Sequence, residues 1–265
     1  MLSDLTMISH KFAGDIIIYP IADVHLGAAE HNAEAWAAMT REILKQPNAY
    51  MVLNGDLLNN CTRSSVSNIF EETMRPRDAK RLMVQMLEPL RDRILCITTG
   101  NHERRSMKDA DDDPTYDIAC KLDLEDVYRQ NIAFLALRLG SRGGLDAEKA
   151  TNVYTLAVTH GAGGGIYTGA AVNRNERFGN IIDGLDILIV GHTHKGTVTR
   201  PSKLVIDMRN GKVEQRDYVV ISAVSWMEYG GYAAQKMLLP SGHSRPQKLL
   251  LGCNTARDRD IQVIW

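Results

Sequence analysis

An α/β fold of two sheets packed face to face, with helices outside, is what the order of residue patterns predicts. Two observations carry it. In the N-terminal part, short unbroken apolar runs alternate with stretches of helical periodicity in the order β-α-β-α-β. Beyond them the texture is largely β, with short strand-like runs separated by Gly- or Asn-containing turns. Unbroken apolar runs of strand length are the mark of strands covered on both faces. At 265 residues and 44% apolar content the chain can form a sizeable core, and 1–265 is expected to be one domain.

Taken in order, Asp15–Ala22 reads as the first strand. Asn32–Lys45 is helical, with Ala33, Trp36, Ala37, Met39 and Ile43 favouring one side. Tyr50–Leu53 is a second strand, and Cys61–Arg77 is mixed, a loop over the strand ends. Asp78–Leu90 is a helix whose core stripe is Leu82, Met83, Met86, Leu87 and Leu90. Ile94–Thr99 is the third strand. The acidic run from Asp109 to Asp113 reads as a solvated loop capping a helix near Pro114–Leu124.

Ile132–Leu137 and Val153–Val158 are further strands, with a turn through Gly140, Gly143 and Gly144 between them. Ile187–Val190 is an unbroken apolar strand and stops at Gly191. Leu204–Ile206 and Asp217–Ile221 suggest a hairpin around Asn210-Gly211. Lys236–Leu239 and Gln262–Ile264 are expected as short strands.

With 31 basic and 32 acidic residues the formal charge is −1, which gives no bulk electrostatic grip on nucleic acid. The four cysteines are far apart in sequence, so a reducing compartment without disulfides is expected. No apolar run approaches membrane-spanning length and no secretory-type leader is visible, so the expectation is a cytoplasmic protein with no membrane partner.

Five of the apolar runs end in polar residues of one chemical kind. These are Asp23 and His25; Asp56; Asn101 and His102; His160; and His192 and His194. Five of the eight histidines fall there. In open α/β sheets ligands bind off the carboxyl ends of strands, so residues distant in sequence can converge. Imidazole is also the commonest metal ligand among side chains.

D-x-H at Asp23, G-D at Gly55, G-N-H-E at Gly100, H-G at His160 and G-H-x-H at Gly191, in this order, resemble the calcineurin-like metallophosphoesterases. The resemblance runs from Asp23 to His194, about two thirds of the chain, and lacks no motif. It implies the four-layer metallophosphoesterase fold, a two-sheet β-sandwich flanked by helices. It also implies two divalent metal ions. Asp23, His25 and His194 would hold one, Asn101, His160 and His192 the other, with Asp56 bridging. Mixed N and O donors suit Mn²⁺ first, with Fe²⁺ or Zn²⁺ as alternatives.

By the same resemblance a water shared by the two ions attacks phosphorus in line, and His102 donates a proton to the leaving group. Some relatives orient that histidine with an aspartate three residues beyond the bridging one. Asn59 stands there instead, so an amide is expected to fix the ring without adding charge. Glu103 is expected to support the loop. Arg104 and Arg105 are candidates to clamp phosphate, as are Arg174 and Arg177 beside the Gly163–Gly165 loop. The opening motif resembles DNA-repair exonucleases of the Mre11/SbcD type, which makes a phosphodiester substrate, DNA or RNA among the candidates, the first expectation. The alternatives are a phosphomonoesterase acting on phosphoprotein or a metabolite, and a non-catalytic module that keeps metals for stability.

Overall fold

The computed structural model describes residues 5–63, 65, 68–140, 152–165, 167–240, 245–253 and 261–265. The chain opens with β1 (Met7–Phe12), β2 (Ile16–Ile21), α1 (Ala33–Lys45) and β3 (Ala49–Asn54). Next come α2 (Pro76–Leu87), β4 (Ile94–Thr98), α3 (Glu103–Ala110), α4 (Pro114–Lys121) and β5 (Tyr128–Arg129). β6 (Ile132–Leu139) and β7 (Asn152–Thr159) precede α5 (Thr168–Asn180) and β8 (Ile187–Val190). β9 (Thr197–Thr199), β10 (Ser202–Asp207), β11 (Lys212–Asp217) and β12 (Val219–Ser222) follow. The last elements are α6 (Gly231–Gln235), β13 (Lys248–Leu251) and β14 (Ile261–Ile264).

One six-stranded sheet runs β1-β6-β7-β8-β12-β9 and the other β14-β13-β2-β3-β4-β5. Alternation along each strand assigns its side chains to layers. Tyr19 and Ile21 of β2, with Met51 and Leu53 of β3, pack under α1 and α2 against Trp36, Met39 and Met83. Ile16, Ile18 and Val52 point the other way, onto Leu156, Ile187 and Ile189 of the facing sheet. Leu188 and Val190 of β8 turn outward again and meet Phe178 and Ile182 at α5. The layers are therefore helix, sheet, sheet, helix, as the metallophosphoesterase sandwich requires. Each fully buried Leu or Ile in them is worth about 1.5–3 kcal/mol.

Local chemistry sets the helix starts. The Asn32 side chain accepts from Ala35 N (2.8 Å) at the head of α1. Asp113 Oδ1 accepts from Thr115 N and Tyr116 N, both 3.1 Å, and Pro114 opens α4. The end of the acidic run is thus a cap, and Lys80 pairs with Asp112 (3.8 Å) and Asp117 beside it.

Two expectations need correction. The hairpin around Asn210-Gly211 pairs Ser202–Asp207 with Lys212–Asp217, not with Asp217–Ile221. Val219–Ser222 instead lies between β8 and β9, because its four residues are buried on both faces. Lys236–Leu239 forms no strand; it follows α6 through a turn where Met237 has φ 51°. The sequence reading also passed over β1, β13 and α5. Gly143 and Gly144 lie outside the described residues. None of the four cysteines is in a disulfide. No helix among the described residues is long and apolar enough to cross a membrane.

Candidate metal centre

β2, β3 and β4 run parallel in one sheet, as do β7 and β8 in the other. The loops after β2 and β3 are laced to each other by backbone bonds: Asp23 N to Gly55 O (3.1 Å), His25 N to Asp56 O (2.9 Å), Leu26 N to Leu57 O (2.9 Å). Gly191 N donates to His160 O (3.1 Å), tying the β8 loop to the β7 loop. Asp23, His25, Asp56, His192 and His194 all have φ between 49° and 71°. Such left-handed backbone costs roughly 1–2 kcal/mol per residue outside glycine, although Asp and His tolerate it better than most. Strain concentrated in one cluster of polar residues marks a functional site.

Two glycines make the approach of the loops feasible. A Cβ on Gly55 (φ 75°) would lie 2.5 Å from Gly100 N, and one on Gly100 would lie 2.1 Å from Asp56 Oδ1.

Two donor sets result. In the first, His194 Nε2 stands 3.3 Å from Asp23 Oδ1 and 3.1 Å from His25 Nε2. In the second, Asn101 Oδ1 is 2.9 Å from His160 Nε2 and 2.7 Å from His192 Nδ1. Asp56 Oδ2 lies between them, 3.2 Å from His160 Nε2 and 3.9 Å from His25 Nε2. The ligand atoms of Asp23, His25 and His194 lie within 4.8 Å of one another, as do those of Asp56, His160 and His192. His25, Asp56 and His102 form a third such group.

The chemistry of these donors fits divalent cations. The Asn54 carbonyl can only accept, so His160 donates to it from Nδ1 (2.8 Å). That leaves the Nε2 lone pair facing two oxygens, an arrangement that calls for a cation or a second proton. Accordingly, although burial opposes charge, the Asp56 carboxylate pushes His160 up to about 10. Asp56 itself, against its own burial, is held well below the usual carboxylate range by His160 and His102. Burial, with His102 and His194 nearby, pushes His25 well down. The same anionic field that would hold a proton on His160 would hold a metal ion.

The other oxygens of the two aspartates are taken by backbone. Asp56 Oδ1 accepts from His102 N (2.8 Å) and Asp23 Oδ2 from His192 N (2.9 Å). Glu103, fully buried, accepts from Asp56 N and Gly100 N (3.0 Å each) and from Leu58 N (2.9 Å). It supports the loop, as its position after His102 suggested. Burial and the neighbouring Asp56 push its carboxyl up to about 7.

His102 lies at the edge of this cluster, its Nε2 3.8 Å from Asp56 Oδ2 and its ring in edge contact with His25. Burial lowers it to about 4. The expectation that the Asn59 amide fixes this ring is corrected. The Asn59 backbone carbonyl accepts from His102 Nδ1 (2.8 Å), while the Asn59 amide donates to Glu72. A carbonyl needs no particular side chain, so residue type gave no signal of it.

The two arginines after Glu103 part company. Arg105 Nη2 is 3.0 Å from His102 Nε2, and Nη1 donates to Asn59 O (3.1 Å). Arg104 is instead held at Gln130 O (3.2 Å) and Asn131 Oδ1 (3.0 Å), clear of the donor groups, because α3 carries the two side chains in different directions. Arg174 donates to Gly163 O and Gly164 O, so that loop turns carbonyls rather than amides toward a guanidinium and is a pinned connector. Asn60, which the sequence reading missed, ties this region together through its amide, bonded to His102 O and Ser106 Oγ at 2.9 Å each.

Comparison with known proteins gives one family. Residues 17–196 match the model of the calcineurin-like phosphoesterases. Among solved structures the chain matches a conserved protein of Streptococcus pneumoniae TIGR4 described as a predicted phosphoesterase. The two share 12% identity over 94% of this chain and 89% of that one, with a TM-score of 0.38. No curated protein sequence matches the chain.

Proposed function

The chain belongs to the calcineurin-like phosphoesterase family, and from that premise we propose that it hydrolyses phosphodiester bonds of a nucleic acid or nucleotide with a pair of divalent cations. The observation that carries the reading is the position of Asp56 between two donor sets, its Oδ2 3.2 Å from His160 and 3.9 Å from His25. Divalent cations held there would supply Lewis acidity toward phosphoryl oxygens and a nucleophilic water at neutral pH. Mn²⁺ is the ion we propose, with Fe²⁺ or Zn²⁺ compatible with the same mixed donors.

The chain's own residues do the rest. Asp23 and Asp56 fix the charge of the site, each anchored by a backbone amide through its second oxygen. His102, oriented through Nδ1, turns Nε2 toward Asp56; that nitrogen accepts from Arg105 and, once protonated, would supply the leaving group with its proton. Arg105 sets one guanidinium beside that nitrogen, a match for the single negative charge of a diester. We place the enzyme in the cytoplasm, where four cysteines outside any disulfide stay reduced.

With Mn²⁺ supplied, bis-p-nitrophenyl phosphate is expected to turn over faster than p-nitrophenyl phosphate. The reverse preference would move the assignment to monoesters. Turnover of neither, with metal bound, would leave a non-catalytic module.

A further inference from the structure

The β10–β11 ribbon has no part in the chemistry. Its pairs and those of β9 with β12 share one register: Thr199 faces Val220, and Ser202 faces Asp217. It is therefore one long hairpin interrupted at Pro201, whose inner half closes the sandwich sheet and whose outer half runs past it. β9 starts beside the metal centre, at the end of β12 that follows Val190, so the ribbon projects from the opposite end of the sheet.

Lys203 reaches back to Ile182 O (3.0 Å) and Asp183, which turns Lys203, Val205 and Asp207 toward the body. Leu204 (77% exposed), Ile206 (70%) and, across the ladder, Val213 (60%) face solvent. A two-stranded ribbon in water is marginal on its own, and an apolar edge strand is a template for another strand.

The order Lys203-Leu204-Val205-Ile206-Asp207 is complementary to itself. Run antiparallel about a twofold axis through Val205, two copies set each Leu204 opposite Ile206 of the other, while Lys203 stays on Ile182 O and Asp183 and Asp207 on the amides of Arg209 and Asn210. We infer that two copies of this chain associate edge to edge through β10, joining their ribbons into one four-stranded sheet. Leu204, Ile206 and Val213 of both copies then form a continuous strip on its outer face. The inference stands apart from the assignment of activity, because no residue of the ribbon touches the metal centre.

The test uses charge at the exposed positions, where substitution leaves the fold intact, checked by circular dichroism and thermal melting. By light scattering after gel filtration the wild-type chain is expected to be a dimer. Leu204→Lys with Ile206→Lys, and separately Leu204→Glu with Ile206→Glu, set like charges directly opposite each other and are each expected to give monomers. Mixed in equal amounts, these two variants are expected to form a heterodimer, because lysines then face glutamates. A wild-type monomer overturns the inference, whether or not the ribbon then takes up a single-stranded oligonucleotide. So does a dimer that both variants leave intact, or a mixture that stays monomeric.

Discussion

His102 is oriented by the backbone of Asn59, not by its side chain: Nδ1 donates to the Asn59 carbonyl at 2.8 Å, while the amide turns to Glu72. The ring therefore keeps its hydrogen bond whatever residue occupies position 59. Asn59→Ala is expected to change kcat/KM by no more than about threefold, the scale of a substitution outside the working contacts. Kinetics on a diester substrate measure it. A loss of a hundredfold or more would return the orienting role to the amide.

His102→Ala removes the proton donor proposed above but none of the atoms of the two donor sets. Turnover of esters with poor leaving groups is expected to fall by ~10²–10⁴, while activated nitrophenyl esters lose much less. Metal content measured on the same sample is expected to stay at the wild-type level. Loss of metal would make His102 a ligand, which its 3.8 Å separation from Asp56 Oδ2 leaves geometrically open.

Much of this site was legible in the sequence because of where strands end. β2, β3, β4 and β8 are covered on both faces, so their apolar runs are unbroken, and the first polar residue after each run stands out. What the sequence concealed was of another kind. β1 alternates between exposed and covered residues on a sheet edge and has no continuous run. α5 buries Ala171, Asn175 and Gly179 rather than a hydrophobic stripe, because a Cβ on Gly179 would fall 2.5 Å from the Tyr218 ring. Backbone acceptors such as the carbonyls of Asn54 and Asn59 leave no mark in residue type at all.

Gly100→Ala places a methyl 2.1 Å from Asp56 Oδ1 and 2.2 Å from Asp56 N. Neither neighbour can give way, since both are held in the loop that Glu103 clamps. The variant is expected to lose metal affinity and several degrees of melting temperature together. Calorimetry with and without added Mn²⁺ separates the two losses.

Glu103→Gln keeps the shape of the clamp but turns an N–H₂ toward one of three amide donors. A cost of about 1–3 kcal/mol in unfolding free energy is expected, read from urea midpoints at unchanged slope.

Stability should also depend on pH through His10, far from the metal centre. Burial lowers its pKa from 6.5, although its bond to Leu95 O works the other way. The unfolded chain thus binds more protons in the window just below 6.5, so unfolding free energy is full above that value and declines as pH falls through it. His10→Gln, which can keep the bond to Leu95, is expected to flatten this slope. An unchanged slope would place the acid sensitivity elsewhere.

Metal stoichiometry tests the central claim most directly. Titration of the metal-free chain with Mn²⁺, followed by calorimetry and by elemental analysis, is expected to give about two ions per chain, the number that two donor sets sharing one carboxylate would hold. Asp56→Ala, which removes the shared oxygen, is expected to weaken both. Binding of a single ion, or full occupancy retained by Asp56→Ala, would contradict a paired centre.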